Sequence, residues 1–337
     1  MKLNLTLACA PYDRTAALAD GSIAPDGITL NFLPMEHGEL FRRQARYAEF
    51  DVSEFSLSTY TMLLNRGDQR LVAIPVFPSR KFRHGDIFVN VHAGIREPRD
   101  LVGKRMGAME YQQTAAVWQR AVLEHDYGVR PEQMEWYFGS FYGPAPFSDR
   151  IPFELPPGVR SRTIASEQSL DQMLDAGEID ALMGANLPPS FTRGSPNVAR
   201  LFPNYQQVEQ DYFRRTGIFP IMHTVVIKRE VYEQHPWVAV SLFEAFVKAK
   251  AAAQKLLARH GAVYCMLPWL TEHLTARREL MGEDPFVYGL EANRPLLQAF
   301  LQYNREQGLL SRPFTVDELF AIETRDAGDQ LASGGVQ

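Results

Sequence analysis

The chain has 337 residues, of which 45% are hydrophobic and 22% are charged, a composition that is ordinary for a soluble globular protein. A chain of this length favours two domains or lobes, each with its own core. The formal net charge of -5 argues against nucleic acid or an anionic membrane as a partner, so any site for an anion must be local.

The cysteines and the first residues bear on the cellular compartment. Cys9 and Cys265 lie far apart and show no metal-binding spacing, so we expect no disulfide scaffold, and a reducing compartment is compatible. The segment 1–10 alternates like a strand and lacks the features of a signal peptide, and no apolar run approaches the length of a membrane span. We therefore expect a cytoplasmic protein.

Strand and helix patterns alternate through the first part of the chain. Strands are predicted at 3–10, 28–33, 50–55 and 71–77, and helices at 39–47 and 57–65. Such alternation is typical of an α/β protein with a mainly parallel sheet and helices on its faces.

A second unit of the same kind begins after His92. Its predicted strands lie at 100–109, 134–138 and 179–183, its helices at 114–125 and 169–176, and an irregular loop at 139–158. An apolar strand at 218–226 leads back to a C-terminal part with helices at 236–259, 270–280, 291–307 and 316–324 and a polar tail at 326–337 that we expect to fray.

This order of elements predicts a two-lobed, periplasmic-binding-protein-like type II fold of the α/β class. Lobe one comprises 1–86 plus 227–337 with the C-terminal helices, and lobe two, 87–226, is inserted into it. The crossovers are expected near 84–90 and 218–227, with a ligand in the cleft between the lobes.

The turn at 78–86 is the most informative segment, because it combines cations, a histidine and a carboxylate after the apolar strand at 71–77. In open α/β sheets ligands bind at the carboxyl ends of strands, and loops there often carry function. The candidates in this turn are Ser79, Arg80, Arg83 and His84. The alternative is a solvated basic turn.

Further candidates lie at the ends of other predicted strands. They are Arg14 after the first strand, Ser53 and Glu54 in the third, Tyr111 and Thr114 in lobe two, and His223 in the strand at 218–226. Thr114 lies near a helix start, where free backbone N–H groups favour an anion. The alternatives are a solvated turn for Arg14, a cap or ion pair for Glu54, and core positions for Tyr111 and His223.

Other catalytic patterns are absent from the sequence: it contains no Walker loop, no Gly-rich dinucleotide fingerprint and no nucleophile elbow. We therefore expect no cofactor. A divalent metal bound by His84 and Asp86 is an alternative, although the sequence offers no evident third ligand.

Several long segments resemble the 4,5-dihydroxyphthalate decarboxylase family. They are FDVSEFSLS at 50–58, AIPVFPSR at 73–80, FRH at 82–84, GIFPIMH at 217–223 and LPW at 267–269, and the resemblance runs from the first strand to about residue 324. It implies conversion of 4,5-dihydroxyphthalate to protocatechuate and carbon dioxide in bacterial phthalate breakdown. The expected partner is therefore a small aromatic dicarboxylate, and a homo-oligomer is left open.

The implied chemistry requires an acid at the ring carbon that loses carbon dioxide, a base or acceptor at the phenol opposite it, and cations that hold the carboxylates. We predict His84, His223 and Glu54 as the catalytic residues. His84 would be the leading proton donor, with a pKa lowered by its arginine neighbours, and His223 would orient or deprotonate the phenol, or the two would exchange roles. The predicted substrate-binding residues are Arg14, Ser53, Ser79, Arg80, Arg83, Tyr111 and Thr114, with Arg14, Arg80 and Arg83 as a carboxylate clamp.

Two other functions compete with this one. A solute-binding protein that delivers an aromatic acid to an ABC transporter would need cations and hydrogen bonds but no proton donor. An enzyme of the same fold could act on a different aromatic acid. The two histidines near the expected cleft favour an enzyme.

Overall fold

The computed structural model describes residues 2–145, 150–261 and 263–326. The described strands are β1 (Leu3–Cys9), β2 (Ile28–Pro34), β3 (Val52–Ser56), β4 (Leu71–Ile74), β5 (Ile87–Asn90), β6 (Arg105–Ala108), β7 (Glu135–Phe138), β8 (Arg160–Thr163), β9 (Ala181–Met183), β10 (Val198–Arg200) and β11 (His223–Lys228). The described α-helices are α1 (Ala16–Ala19), α2 (His37–Tyr47), α3 (Leu57–Asn65), α4 (Thr114–Tyr127), α5 (Leu170–Ala176), α6 (Pro189–Thr192), α7 (Tyr205–Thr216), α8 (Arg229–Gln234), α9 (Trp237–Leu257), α10 (Leu270–Met281) and α11 (Arg294–Glu306).

Contacts divide the chain into two units. The first takes the residues up to Arg80, Ile221–Gln298 and the residues from Phe314 onward, and the second takes Lys81–Pro220 and Ala299–Pro313. The chain thus leaves the first unit after β4, re-enters it just before β11, and leaves it again for residues 299–313. In a search of the described residues, no helix was both long and apolar enough to cross a membrane.

These bounds differ from the predicted ones in three short segments. Residues 221–226 belong to the first unit, because β11 pairs with β3 and β4. Residues 81–86 belong to the second unit, where the side-chain amide of Gln119 donates hydrogen bonds to backbone carbonyls of this segment. Residues 299–313 also join the second unit, where Gln307 accepts a hydrogen bond from the buried Arg120 at 2.9 Å.

The first unit is built on a five-stranded sheet in the order β2-β1-β3-β11-β4. Strands β2, β1 and β3 are parallel, whereas β11 is antiparallel to both β3 and β4. The amino end of β11 therefore lies at the same edge of the sheet as the carboxyl ends of β1, β2 and β3. This reversal brings His223 to the edge where parallel strands present their functional loops.

The second unit is built on a six-stranded sheet in the order β10-β5-β9-β6-β7-β8. Strand β5 is the reversed one here, and the remaining pairs beyond β9 are parallel. Its core is formed by fully buried side chains such as Trp118 on α4, Trp136 on β7 and Phe88 on β5. Both sheets thus confirm the predicted α/β class.

Two predicted elements differ in form. The segment 316–324 is not one helix but two short 3-10 turns, Val316–Leu319 and Ile322–Thr324. Phe320 between them is extended and bridges to Ala73, which interrupts the helix. The strand expected at 71–77 ends at Ile74, because Pro75 supplies no N–H for a ladder.

The predicted loop at 139–158 is irregular where it is described. Its residues 146–149 lie outside the described ranges, as does nearly all of the tail at 326–337.

Candidate active site

Four polar side chains meet at one edge of the first sheet. Tyr12 follows β1, His37 is the first residue of α2 after β2, Glu54 lies in β3, and His223 is the first residue of β11. They lie in or shortly after four strands that are neighbours in the order β2-β1-β3-β11. The sheet topology therefore assembles the group from residues that are far apart in the sequence.

Glu54 is the centre of this group, and its side chain is fully buried. Its Oε2 accepts a hydrogen bond from the backbone N–H of Ala10 at 3.0 Å and lies 3.5 Å from the Sγ of Cys9. Its Oε1 accepts a hydrogen bond from the hydroxyl of Tyr12 at 2.6 Å. The same oxygen is 2.6 Å from the Nδ1 of His223 and 3.2 Å from the Nε2 of His37. One carboxylate thus holds two imidazoles and a phenol.

The register of the strands explains why Glu54 and His223 meet. Glu54 lies directly opposite Val225 in the antiparallel pair, and His223 is two residues before Val225. Side chains two residues apart along a strand share a face, so His223 is the diagonal neighbour of Glu54. Ser53 points to the opposite face by the same alternation, and its buried hydroxyl has no hydrogen-bond partner among the described residues.

Aromatic rings fix the two histidines. The rings of His37 and His223 have centroids 4.7 Å apart, and Phe41 packs edge-on against His223 at 4.8 Å. His37 and Phe41 are four residues apart on α2 and therefore lie on one helix face. The exposed fraction of the side chain is 38% for His37 and 14% for His223, so both rings can be reached from solvent.

The environment sets the charge of each group. Burial alone would raise the pKa of Glu54, but the charges of and hydrogen bonds from His223 and His37 outweigh it and hold that pKa well below its usual range. Burial, followed by the charge of Glu54, raises the pKa of both Tyr12 and Cys9 well above their usual values. At neutral pH the group therefore contains an ionised carboxylate beside a neutral phenol and a neutral thiol.

The group also contains side chains of the kinds that bind a metal ion. Among the described residues, His37, Glu54 and His223 are the set of three metal-capable side chains whose ligand atoms lie within 4.8 Å of one another. Around a tetrahedral cation with bonds of about 2.1 Å, neighbouring donors are roughly 3.4 Å apart. The 2.6 Å distance from Glu54 to His223 is instead a charge-assisted hydrogen bond. In this structure Glu54 and His223 are therefore joined by a shared proton.

The predicted catalytic residue His84 lies in the second unit, on the 3-10 turn His84–Asp86. Only 2% of it is exposed, and neither ring nitrogen has a hydrogen-bond partner among the described residues. Its ring packs edge-on against Phe202 and Tyr212, with centroids 5.7 and 5.0 Å away. The sequence analysis predicted that His84 contacts the ligand. In the structure its ring is surrounded by aromatic side chains.

The pKa of His84 is lowered to about 4, which confirms the predicted direction. The cause differs from the predicted one: burial dominates, and the one cation that contributes is Arg215, opposed by Asp126. The ring is therefore neutral at pH 7. Asp86, the other residue of the alternative metal site, binds Lys81 at 2.8 Å and Arg83 at 2.9 Å.

The three arginines of the predicted clamp have different surroundings. The guanidinium of Arg14 lies 4.0 Å from the centroid of the Tyr12 ring, so Arg14 adjoins the Glu54 group. Arg80 is buried and donates to the carbonyl of Val287 at 2.8 Å and to the side chain of Asn293, and burial lowers its pKa to about 10. Arg83 lies in the second unit. The structure thus places Arg14 beside the catalytic candidates, while a clamp role for the other two stays a prediction.

Arg83 and two further predicted binding residues, Ser79 and Thr114, make the following contacts. Arg83 is buried and donates to Asp86 at 2.9 Å and to the carbonyl of Ala185 at 3.1 Å. The backbone carbonyl of Ser79 accepts a hydrogen bond from the N–H of Met222 at 2.9 Å. Thr114 is the first residue of α4 and is buried.

Tyr111 lies in the second unit and is buried beneath the guanidinium of Arg120, which is 3.7 Å from the ring centroid. Its hydroxyl has no hydrogen-bond partner among the described residues. Burial raises its pKa, so the phenol is neutral at pH 7. These observations agree with the alternative that Tyr111 is a core aromatic.

Tyr12 and His37 are the members of the group that the sequence analysis did not select. Tyr12 follows β1, as Arg14 does, and His37 follows β2. The rule that carboxyl ends of parallel strands converge would have found both, had it been applied to the strand β2 and to every residue after β1.

Comparison with known proteins gives two relatives of the same name. No family model matches the chain. The chain is 38% identical over 319 residues to 4,5-dihydroxyphthalate decarboxylase from Comamonas testosteroni, which covers 95% of this chain and 96% of the relative. It is also 38% identical over 213 residues to 4,5-dihydroxyphthalate decarboxylase from Pseudomonas putida, covering 63% of this chain and 82% of that relative.

Solved structures share the fold at low identity. The periplasmic aliphatic sulphonate binding protein SsuA from Escherichia coli matches with a TM-score of 0.55 and 11% identity over 96% of this chain and 99% of that chain. The desulfurization enzyme DSZB matches with a TM-score of 0.50 and 16% identity over 98% of this chain and 100% of that chain. Such matches establish the periplasmic-binding-protein-like fold. The first relative is 38% identical over nearly the whole length of both chains, and the chain therefore belongs to the 4,5-dihydroxyphthalate decarboxylase family.

Proposed function

We propose that this protein is a carboxy-lyase that converts 4,5-dihydroxyphthalate to protocatechuate and carbon dioxide in phthalate breakdown. The observation that carries the proposal is the identity to a relative of that name along almost the whole length of both chains. The group around Glu54 adds support of a different kind, since it supplies ionisable side chains suited to proton transfer.

Loss of an aryl carboxylate requires that the electron pair of the broken C–C bond be captured. A proton delivered to the ring carbon, with electron release from the hydroxyl opposite it, gives a dienone-like intermediate that can lose carbon dioxide. The electron pair then becomes part of the ring, and the C–H bond replaces the C–C bond. This series of reaction steps needs no electron-sink cofactor, and we propose that the enzyme uses none.

His223 suits the hydroxyl end of this reaction. Glu54, as a carboxylate, can only accept hydrogen bonds, so the Nδ1 of His223 must carry the hydrogen between them. In the neutral ring Nε2 is then the basic nitrogen, oriented by a buried partner, as in other carboxylate–histidine pairs. His223 would accept the phenol proton as electrons flow into the ring.

Arg14 suits a carboxylate of the substrate. It is the predicted clamp arginine that adjoins the Glu54 group, and its guanidinium also lies 4.7 Å from the centroid of Phe286. Arg14 and Phe286 help to line a cavity of about 190 Å³ in the first unit. A cation beside an aromatic wall is the chemistry that an aromatic carboxylate needs, and arginine binds carboxylates in a bidentate manner.

A solute-binding protein for an aromatic acid is the second candidate function. The sulphonate-binding neighbours share the fold but carry no argument about activity at their low identity. Such a receptor would bind the dianion with cations and hydrogen bonds and release it unchanged. Binding and release of this kind do not require two imidazoles held on one buried carboxylate.

The test is to incubate the purified protein with 4,5-dihydroxyphthalate and to separate the products by chromatography. We expect protocatechuate, and we expect Glu54→Gln to stay folded while its turnover falls by about 10²–10⁴-fold, the usual contribution of positioned acid–base groups. Glu39→Gln on the exposed side of α2 is the matched control and should keep parental turnover. Tight binding of 4,5-dihydroxyphthalate with no product would favour the receptor instead.

A further inference from the structure

We propose that His37 is the acid that delivers a proton to the ring carbon and that water recharges it after each turnover, an inference that rests on the proposed decarboxylase function. His37 was not selected from the sequence. The tautomer of His37, the charge of the Glu54 group and the exposure of the His37 ring support this role.

The hydrogen bonds of Tyr12 define which nitrogen of His37 carries a hydrogen inside the group. The hydroxyl of Tyr12 donates its single hydrogen to Glu54 at 2.6 Å. The same hydroxyl oxygen lies 2.7 Å from the Nε2 of His37 and must therefore accept from it. Nε2 keeps its hydrogen in both charge states of the ring, so Nδ1 is the nitrogen that gains and loses the proton.

The two histidines thus face the carboxylate with opposite nitrogens. His223 uses Nδ1 in the group and leaves Nε2 as its titrating position, whereas His37 uses Nε2 and leaves Nδ1. Their ring centroids are 4.7 Å apart. The two rings are therefore held next to each other by one partner, which places an acid and a base in the same group.

The charge of Glu54 favours one added proton on this pair. A buried ionised carboxylate requires a nearby positive charge, and one imidazolium supplies it. A second imidazolium at this distance would repel the first. If His223 is neutral so that it can accept the phenol proton, the imidazolium is His37.

The two rings also differ in exposure, and this difference favours His37 as the acid. A proton donor that is consumed in each cycle must be refilled from water, and the side chain of His37 is 38% exposed against 14% for His223. Other titratable or charged groups that contact His37 or its partners are Tyr12, Glu54, His223, Cys9 and Arg14. Tyr12 and Cys9 stay neutral at pH 7, so neither competes as the acid.

The Nδ1–H of the His37 imidazolium forms the new C–H bond, while the phenol proton passes to His223 and the ring becomes dienone-like. The C–C bond to the carboxylate then breaks, carbon dioxide leaves, and the electron pair restores the aromatic ring as the phenol regains its proton from His223. Neutral His37 takes one proton from water, so each turnover consumes one proton.

The experiment compares His37→Asn and His37→Gln with the parent enzyme and with His273→Asn, a control at an exposed position of α10. His37→Gln can keep a hydrogen bond to Tyr12 but cannot carry the proton. We expect kcat to fall by about 10²–10⁴-fold in both His37 variants, with KM within a few-fold of the parent value. We also expect added imidazole to restore turnover in His37→Gly.

Each result decides the matter. Parental kcat in His37→Asn, with an active parent enzyme, would overturn this assignment and leave the decarboxylase proposal intact. A rise of KM with unchanged kcat, or loss of activity that imidazole does not restore in a folded variant, would make His37 a binding or structural residue. A parent enzyme that releases no carbon dioxide would overturn both proposals.

Discussion

Burial of His84 predicts that the protein loses stability in mild acid. In the folded chain its pKa is about 4, against 6.5 for an ordinary histidine. Between these values the unfolded chain binds a proton that the folded chain does not, so stability rises with pH across this window. The contribution is fully present above pH 6.5 and is lost as the pH falls toward 4.

The size of this loss of stability follows from the lowered pKa of His84. A displacement of the His84 pKa from 6.5 to about 4 lowers the free energy of unfolding by about 3 kcal/mol, relative to neutral pH, once the pH is below both values. At pH 5 the linkage relation gives about 2 kcal/mol of the free energy of unfolding. The charged groups near the ring oppose each other, since Asp126 and Arg215 form an ion pair at 2.8 Å, and Tyr212 is neutral because burial raises its pKa. Burial therefore dominates the expected effect.

The assay is urea unfolding of the parent protein and of His84→Phe at pH 8 and pH 5, followed by tryptophan fluorescence. Phenylalanine can occupy the space between Phe202 and Tyr212 without a titrating group. We expect the stability lost between the two pH values to be about 2 kcal/mol smaller in His84→Phe than in the parent, and unchanged in His273→Asn. Equal losses in the parent and in His84→Phe would refute the buried neutral histidine. Turnover of the same variant tests the competing assignment of His84 as the proton donor, which requires it to be inactive.

Two further predictions concern the substrate and the cofactor. Arg14→Lys should weaken substrate binding by about 1–3 kcal/mol, because lysine cannot make the bidentate contact, and calorimetric titration with 4,5-dihydroxyphthalate against an Arg312→Lys control would measure it; unchanged affinity would remove Arg14 from the site. Prolonged dialysis against a chelator should leave turnover at the parental rate, because the Glu54 group has hydrogen-bonding distances, and activity that falls and returns with a divalent cation would contradict this.

The strand-end rule accounts for what the sequence could predict of the site. Glu54 and His223 were selected because they lie in short apolar strands, and the structure brings them to 2.6 Å from each other. His37 was missed because the predicted helix began at residue 39, while α2 begins at His37 without a side-chain cap at Glu36 to mark its start.

The cationic turn shows where local sequence is insufficient. Arginines and a histidine in a turn are typical both of a ligand loop and of a solvated surface. The residues that bury them lie far along the chain: Arg80 binds Asn293, which is 213 residues away, and His84 is enclosed by Phe202 and Tyr212. Strand β8 was missed for a related reason, since its four residues are all exposed and carry no apolar alternation.

The central claim is that this protein decarboxylates 4,5-dihydroxyphthalate by protonating the ring carbon from a solvent-exchanging acid in the Glu54 group. The most direct measurement is a reaction in D₂O with mass and NMR analysis of the product. The account predicts protocatechuate with one deuterium at the carbon that carried the lost carboxylate, and little product from Glu54→Gln under the same conditions. Recovery of intact 4,5-dihydroxyphthalate with the parent protein, or equal product formation by Glu54→Gln, would contradict it.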